Sequence, residues 1–162
     1  MASGRAVGDD EMDTWLRHQA IPIECATSGQ GAKDLAPLRH WLHGVKIVGM
    51  GEVTHGTKEF FQVKLRILRQ LVTEMGFKVL AIEASYSAAR LVNDYILKGE
   101  GNRSAVLTGL RSVMWDVEEF AEALDWLRAY NHSVADLDKV RFYGLDIWNT
   151  QVGRAQVLAQ CP

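Results

Sequence analysis

The chain has 162 residues, 48% of them hydrophobic and 23% charged, a size and balance suited to one globular domain with a real core. A net charge of -2 supplies no clustered basic excess for a nucleic-acid or anionic-membrane surface. No apolar run approaches the roughly 20 residues of a membrane helix, so a cytoplasmic enzyme or binding domain is expected.

In chain order, residues 1 to 9 are small, polar and Gly-containing, and read as a loose tail without the apolar core of a signal peptide. "DEMDTWLRHQAIPI" predicts a short amphipathic helix that stops before Pro22. "CATSGQGAK" has loop composition, and "DLAPLRHWLHG" predicts a second short helix closed by Gly44. Cys25 and Cys161 lie far apart, which gives neither a disulfide framework nor metal-ligand spacing, and Cys25 has no reactive context.

From Val45 the pattern becomes strand alternating with helix. "VKIVGM" is a short apolar, β-branched run, expected to be a buried strand. A helix over 57–75 follows, with Phe60, Phe61, Ile67, Leu68, Leu71, Val72 and Met75 at helical spacing and Gly76 as its stop. "FKVLAIE" predicts a second strand, apolar almost throughout, as strands covered on both faces are. Helices are expected over 86–97 and 103–111. Another starts near Asp116, which forms with Glu119 a capping-box pattern and turns Phe120, Leu124 and Leu127 inward. "VRFYGLDI" is the third expected strand. The fold class is therefore α/β, with parallel-sheet βαβ units and flanking helices.

Ligands of such sheets bind beyond the carboxyl ends of the strands. The first expected strand ends at Glu52 with His55 on the following loop, the second ends at Glu83, and the third runs out through Asp146. Adjacent strands would gather these side chains on one edge. Lys64 is the one charge expected at the centre of the apolar helix face, where a lysine costs several kcal/mol unless it is paired or reaches water. It either snorkels outward along its stem or pairs with the carboxylates.

Several chemistries compete for these residues. Gly49-x-Gly51 with Glu83 resembles half of a dinucleotide fingerprint, but the third glycine is replaced by Thr54 and Glu52 would face a pyrophosphate. Glu-x-x-His is also a di-iron bundle spacing, yet here it follows a strand and is closed by Gly56. A single divalent metal held by Glu52, His55 and Glu83 remains open. His40 and His43, three apart near a helix end, suit the helix dipole better than a metal. Without a Gly-x-Ser-x-Gly elbow, a serine hydrolase mechanism is disfavoured. His55 between two carboxylates is a candidate general base for activating water, with Lys64 placed to stabilise a developing oxyanion; a purely structural His–Glu pair has the same sequence signature.

"DLAPLRHWLHGVKIVGMGEVTHGTKEFF", "GFKVLAIEASYSAARLVNDYILKGEG" and "WDVEEFAEALDWLRAYN…VRFYGLDI" resemble the erythromycin esterase family from about Trp15 onward. The resemblance implies a flexible tail over 1–14 and a hydrolase domain over 15–162, shortened at its C-terminus. It implies hydrolysis of a macrolide lactone or related ester by histidine-activated water, a role in antibiotic resistance, and no required cofactor. By motif position, Glu52, His55 and Glu83 become the catalytic residues and Lys64 a substrate-facing cation; Asp146, where the third expected strand runs out, is expected to face the same small-molecule substrate. Lys64 falls where the family has an arginine, and a point charge cannot reproduce a bidentate fork. The second active-site histidine, which the family supplies from a later segment, has no counterpart here. Three parallel strands would leave an exposed edge, a route to self-association or to a binding remnant without catalysis.

Overall fold

The structure, a computed structural model, describes residues 9–27 and 33–146; Cys161 and the flanks of the chain lie outside the described residues. The first helix, α1 (Asp9–Gln19), carries the exposed side chains Met12, Trp15 and Leu16. A 3₁₀ turn at Lys33–Leu35 leads into α2 (Ala36–Trp41), which begins with Pro37 in its first turn, where a missing N–H costs nothing. The long helix α3 (Lys58–Met75) forms as its apolar periodicity requires, and Gly76, at φ +72°, closes it while Phe77 N–H donates to Leu71 O at 3.0 Å.

The strands β1 (Val79–Ser85) and β2 (Arg141–Asp146) pair in parallel, joined through α4 (Tyr86–Lys98), α5 (Arg103–Gly109) and α6 (Glu118–Ser133). Val79 opposes Arg141 and Ile82 opposes Gly144; a register irregularity then places Ser85 opposite Asp146. Gly144 is required at that irregularity, because a Cβ there would stand 2.4 Å from Ala84 O and 2.6 Å from Ser85 O. The architecture is α/β, as the sequence predicts, with helices flanking a small parallel sheet.

The core lies between the helices and one face of the sheet. Val92 and Ile96 of α4, Leu124 and Leu127 of α6, and Val140 and Phe142 at β2 are almost completely buried, with Leu65, Leu68 and Val72 of α3 packed into the same cluster. Each such aliphatic side chain contributes about 1.5–3 kcal/mol on burial.

Three expectations fail. The run 45–50 is not a strand, so the described sheet has two strands rather than three. Apolar β-branched composition supplies only an inclination, whereas a strand exists through a partner that takes its amides. Ile47 is 87% exposed, with no strand beside it. Second, the strands are covered on one face only: Ile82, Ala84, Phe142 and Gly144 are buried, while Val79, Glu83, Tyr143 and Leu145 alternate with them as exposed residues. Third, Asp116 and Glu119 form no capping box. The N-cap of α6 is Val117, without a side-chain cap, and the Glu119 carboxylate instead meets Lys58 Nζ at 3.3 Å.

The outer edge of β2 is not a bare row of amides. Phe142 N–H donates to Asn93 Oδ1 at 2.9 Å, and just before the strand Val140 N–H donates to Asn131 Oδ1 at 2.7 Å. Two asparagines from the covering helices thus occupy the positions where another strand would begin to pair.

Candidate functional site

The site is built on the loop that leads into α3. Gly56, at φ +85°, turns the chain immediately after His55, a conformation that favours glycine. Residues 51–57 form bends and a turn with no helix, so Glu52 and His55 do not share a helical face. Across this loop, His55 Nδ1 and Glu52 Oε1 lie 2.6 Å apart. The other carboxylate oxygen, Oε2, accepts from Lys64 Nζ, two turns into α3. Lys64 therefore pairs with Glu52 instead of extending to solvent alone, which removes the penalty of placing a charge on that helix face.

Exposure divides the three side chains into a support and a working end. The Glu52 side chain is 10% exposed and that of Lys64 22%, whereas that of His55 is 70% exposed. The Lys64 ammonium first, and the His55 imidazole second, hold the Glu52 carboxyl below the ordinary glutamate range against the opposing effect of burial. An ionised Glu52 only accepts hydrogen bonds, so the proton of the shared bond belongs on His55 Nδ1, and in the neutral ring Nε2 keeps a lone pair. That lone pair is on the exposed ring.

Neighbouring groups fix the support. Thr54 and Thr57 share a hydroxyl–hydroxyl bond across the same turn, so the Thr57 hydroxyl, at the N-cap of α3, serves the loop rather than the helix amides. Lys64 Nζ lies 5.8 Å from the Phe61 ring centroid, an attractive cation–π arrangement. Phe61 meets Trp115 edge to face at 6.0 Å, and Trp115 Nε1–H donates to Glu83 O at 3.0 Å. Lys64 also lines a cleft of about 270 Å³ between α2, the 48–51 segment and α3, walled by Leu42, Met50, Phe60, Val63 and Ile67.

The predicted site residues are not all brought together. Glu52, His55 and Lys64 form one bonded cluster. Glu83 is joined to them only through its backbone, by way of Trp115 and Phe61, and its exposed side chain stands on the open face of the sheet. Asp146 ends β2 opposite Ser85, at the carboxyl edge as expected. Among the described residues no group of three or more His, Cys, Asp or Glu side chains is placed to hold a metal ion. The dinucleotide reading loses its structural basis too, because Gly49 and Gly51 do not follow a strand.

Sequence reasoning missed Trp115 and the buried pair of Arg66 with Asp34. Arg66 Nη2 bonds Asp34 Oδ1 and Arg66 Nη1 bonds Cys25 O, with the two side chains only 3% and 5% exposed. The available signal was Arg66 and Gln70, one turn apart beside the apolar stripe of α3: both are buried, so the helix is covered on more than one side.

The erythromycin esterase family model matches residues 72–159, more than half of the chain. The chain belongs to the erythromycin esterase family. An Escherichia coli protein named erythromycin esterase type II is 28% identical over 135 residues, which cover 83% of this chain and 31% of that protein. A solved Bacillus cereus protein superposes with a TM-score of 0.84 at 32% identity, over 96% of this chain and 37% of its own. A second solved structure, titled a succinoglycan biosynthesis protein, gives a TM-score of 0.79 at 29% identity, over 98% of this chain and 42% of its own. The chain thus spans between 31% and 42% of the length of these three proteins. The matched family region contains Glu83 and Asp146 and begins after Glu52, His55 and Lys64. No described helix is long and apolar enough to cross a membrane.

Proposed function

We propose that this chain carries part of the site of a cytoplasmic hydrolase of the erythromycin esterase type, which cleaves a carboxylic ester with histidine-activated water. His55 Nε2 takes a proton from water, and the resulting hydroxide attacks the ester carbonyl. The tetrahedral intermediate collapses with loss of the alkoxide, which recovers the proton, so the products are an acid and an alcohol and the net addition is one water. Glu52 holds the imidazole, Lys64 supplies positive charge beside it, and Glu83 and Asp146 contribute from the carboxyl ends of the strands. The single observation that carries this reading is the 2.6 Å Glu52–His55 contact with the ring itself mostly exposed.

Names among the relatives include an esterase and a succinoglycan biosynthesis protein, so an ester is the level at which the substrate is proposed. A 14-membered macrolide lactone is the first to test, with antibiotic resistance as the consequence. Incubation of the macrolide with the protein should add the mass of one water, and His55→Ala should lower that rate by about 10²–10⁴-fold, the share a general base supplies. Equal product from the variant would remove His55 from the mechanism.

A second reading is a binding remnant without catalysis, favoured by the separation of the exposed Glu83 side chain from the Glu52–His55–Lys64 cluster. It predicts no turnover across a panel of esters, together with association through the open edge of β1. A single monomeric species at all concentrations in sedimentation would count against that association.

A further inference from the structure

Lys64 is partly buried at the wall of a cleft, and its ammonium is bonded to Glu52, which bears on what it does. From this arrangement we infer that Lys64 is a positioning residue: it occupies Glu52 Oε2 so that Oε1 alone receives His55 Nδ1–H, which fixes the tautomer with a bare Nε2. The inference rests on the hydrolase reading for its purpose, and its test does not use turnover.

The argument is one of hydrogen-bond capacity. A carboxylate side chain on a loop can rotate and present either oxygen, or both, to an imidazole. The bond from Lys64 Nζ removes that freedom by anchoring one oxygen to α3, a helix itself held in the core by Phe61, Leu65 and Leu68. The ammonium is bonded to Oε2, which leaves Oε1 to the histidine. With Glu52 largely enclosed and His55 mostly exposed, Glu52 Oε1 is the ring's hydrogen-bond partner among the described residues. The cation beside the catalytic loop therefore acts through Glu52, at one remove from any substrate.

Side-chain ¹H–¹⁵N spectra of the histidine rings, recorded where the imidazole is neutral, read the tautomer directly. The His55 signals are identified by their loss in His55→Asn. In the unmodified protein His55 should carry its proton on Nδ1. Lys64→Met should shift the tautomer ratio by about tenfold toward Nε2–H, the scale of one charge-assisted hydrogen bond. Lys64→Arg, which keeps a cationic donor, should restore the original pattern. Should the methionine variant fail to fold, Lys64→Gln keeps the stem and loses the charge. A lysine that merely stabilised the helix would leave the tautomer untouched in every folded variant. A proton on Nε2 in the unmodified protein, or an unchanged ratio in Lys64→Met or Lys64→Gln, overturns the inference. Absence of ester hydrolysis alongside the expected tautomers would instead strike the functional reading and leave the geometry standing.

Discussion

Asn131→Ala is expected to lower the stability of this protein by about 3 kcal/mol or more, because it strips partners from three buried backbone groups at once. The Asn131 amide donates to Ile96 O at 3.1 Å and to Val140 O at 2.9 Å, and its carbonyl accepts from Val140 N–H at 2.7 Å. Asn131 is 1% exposed and Val140 is fully buried, so water does not replace these bonds at its bulk cost. One side chain on α6 therefore joins the end of α4 to the entry of β2, and the strand that ends at Asp146 is hung from it. Asn131→Asp separates the causes. It keeps the acceptor for Val140 N–H, removes both donors and sets a carboxylate against two carbonyls, so it should be at least as damaging as alanine. Urea titration measures both variants against the unmodified protein. A loss below about 1 kcal/mol for alanine would mean that the backbone groups find other partners.

Such residues explain where sequence reading stopped. The helices over 57–75 and 86–97 were legible because each carries its own apolar period and its own glycine stop; the structure places them at Lys58–Met75 and Tyr86–Lys98. The Glu52–His55 contact was legible for a similar reason: three residues with a glycine beyond them leave the two side chains little room to separate. Lys64 stood out as a charge on an apolar face. What escaped was non-local. A strand at 45–50 needs a partner that the local pattern does not contain, and the expected meeting of Glu83 with His55 depended on that strand lying beside β1. Asn131 and Val140 are nine residues apart, yet their bond is a property of how α6 packs on the sheet, which no window of sequence encodes. Arg66 and Asp34, 32 residues apart, are hidden by the opposite fault: each looks like an ordinary surface charge until the chain between them is folded.

That hidden pair gives the other large effect. Asp34→Ala should lower the melting midpoint by roughly 10 °C, since breaking one side of a buried ion pair takes its neutralising carboxylate from a guanidinium in the interior. Arg66 would keep its bond to Cys25 O but lose the carboxylate that neutralises it. The bond from Glu24 N–H to Asp34 Oδ2, at 3.2 Å, would go as well, freeing the segment that crosses the outer side of α3. Asp34→Ala combined with Arg66→Met should recover much of the loss, because the double change removes the guanidinium together with the carboxylate that neutralised it; a double variant no better than the single would refute this account. The pH dependence follows in sign. The Arg66 guanidinium holds the Asp34 carboxyl below the usual carboxylate range, so the stabilisation is complete above about pH 4 and disappears as pH falls through the depressed folded-state value. Asp34→Ala should flatten that acid limb, while Glu52, depressed by Lys64 and His55, should leave a second one in place. The consequence reaches the site through α3. Arg66 lies two residues beyond Lys64, so the turn that presents the ammonium to Glu52 is pinned from its outer flank by Asp34. Loosening that flank should disorder the His55 tautomer before the core melts, which ring ¹⁵N spectra of Asp34→Ala below its midpoint would reveal; a wild-type tautomer persisting up to the midpoint would show that α3 holds Lys64 without help from the pair.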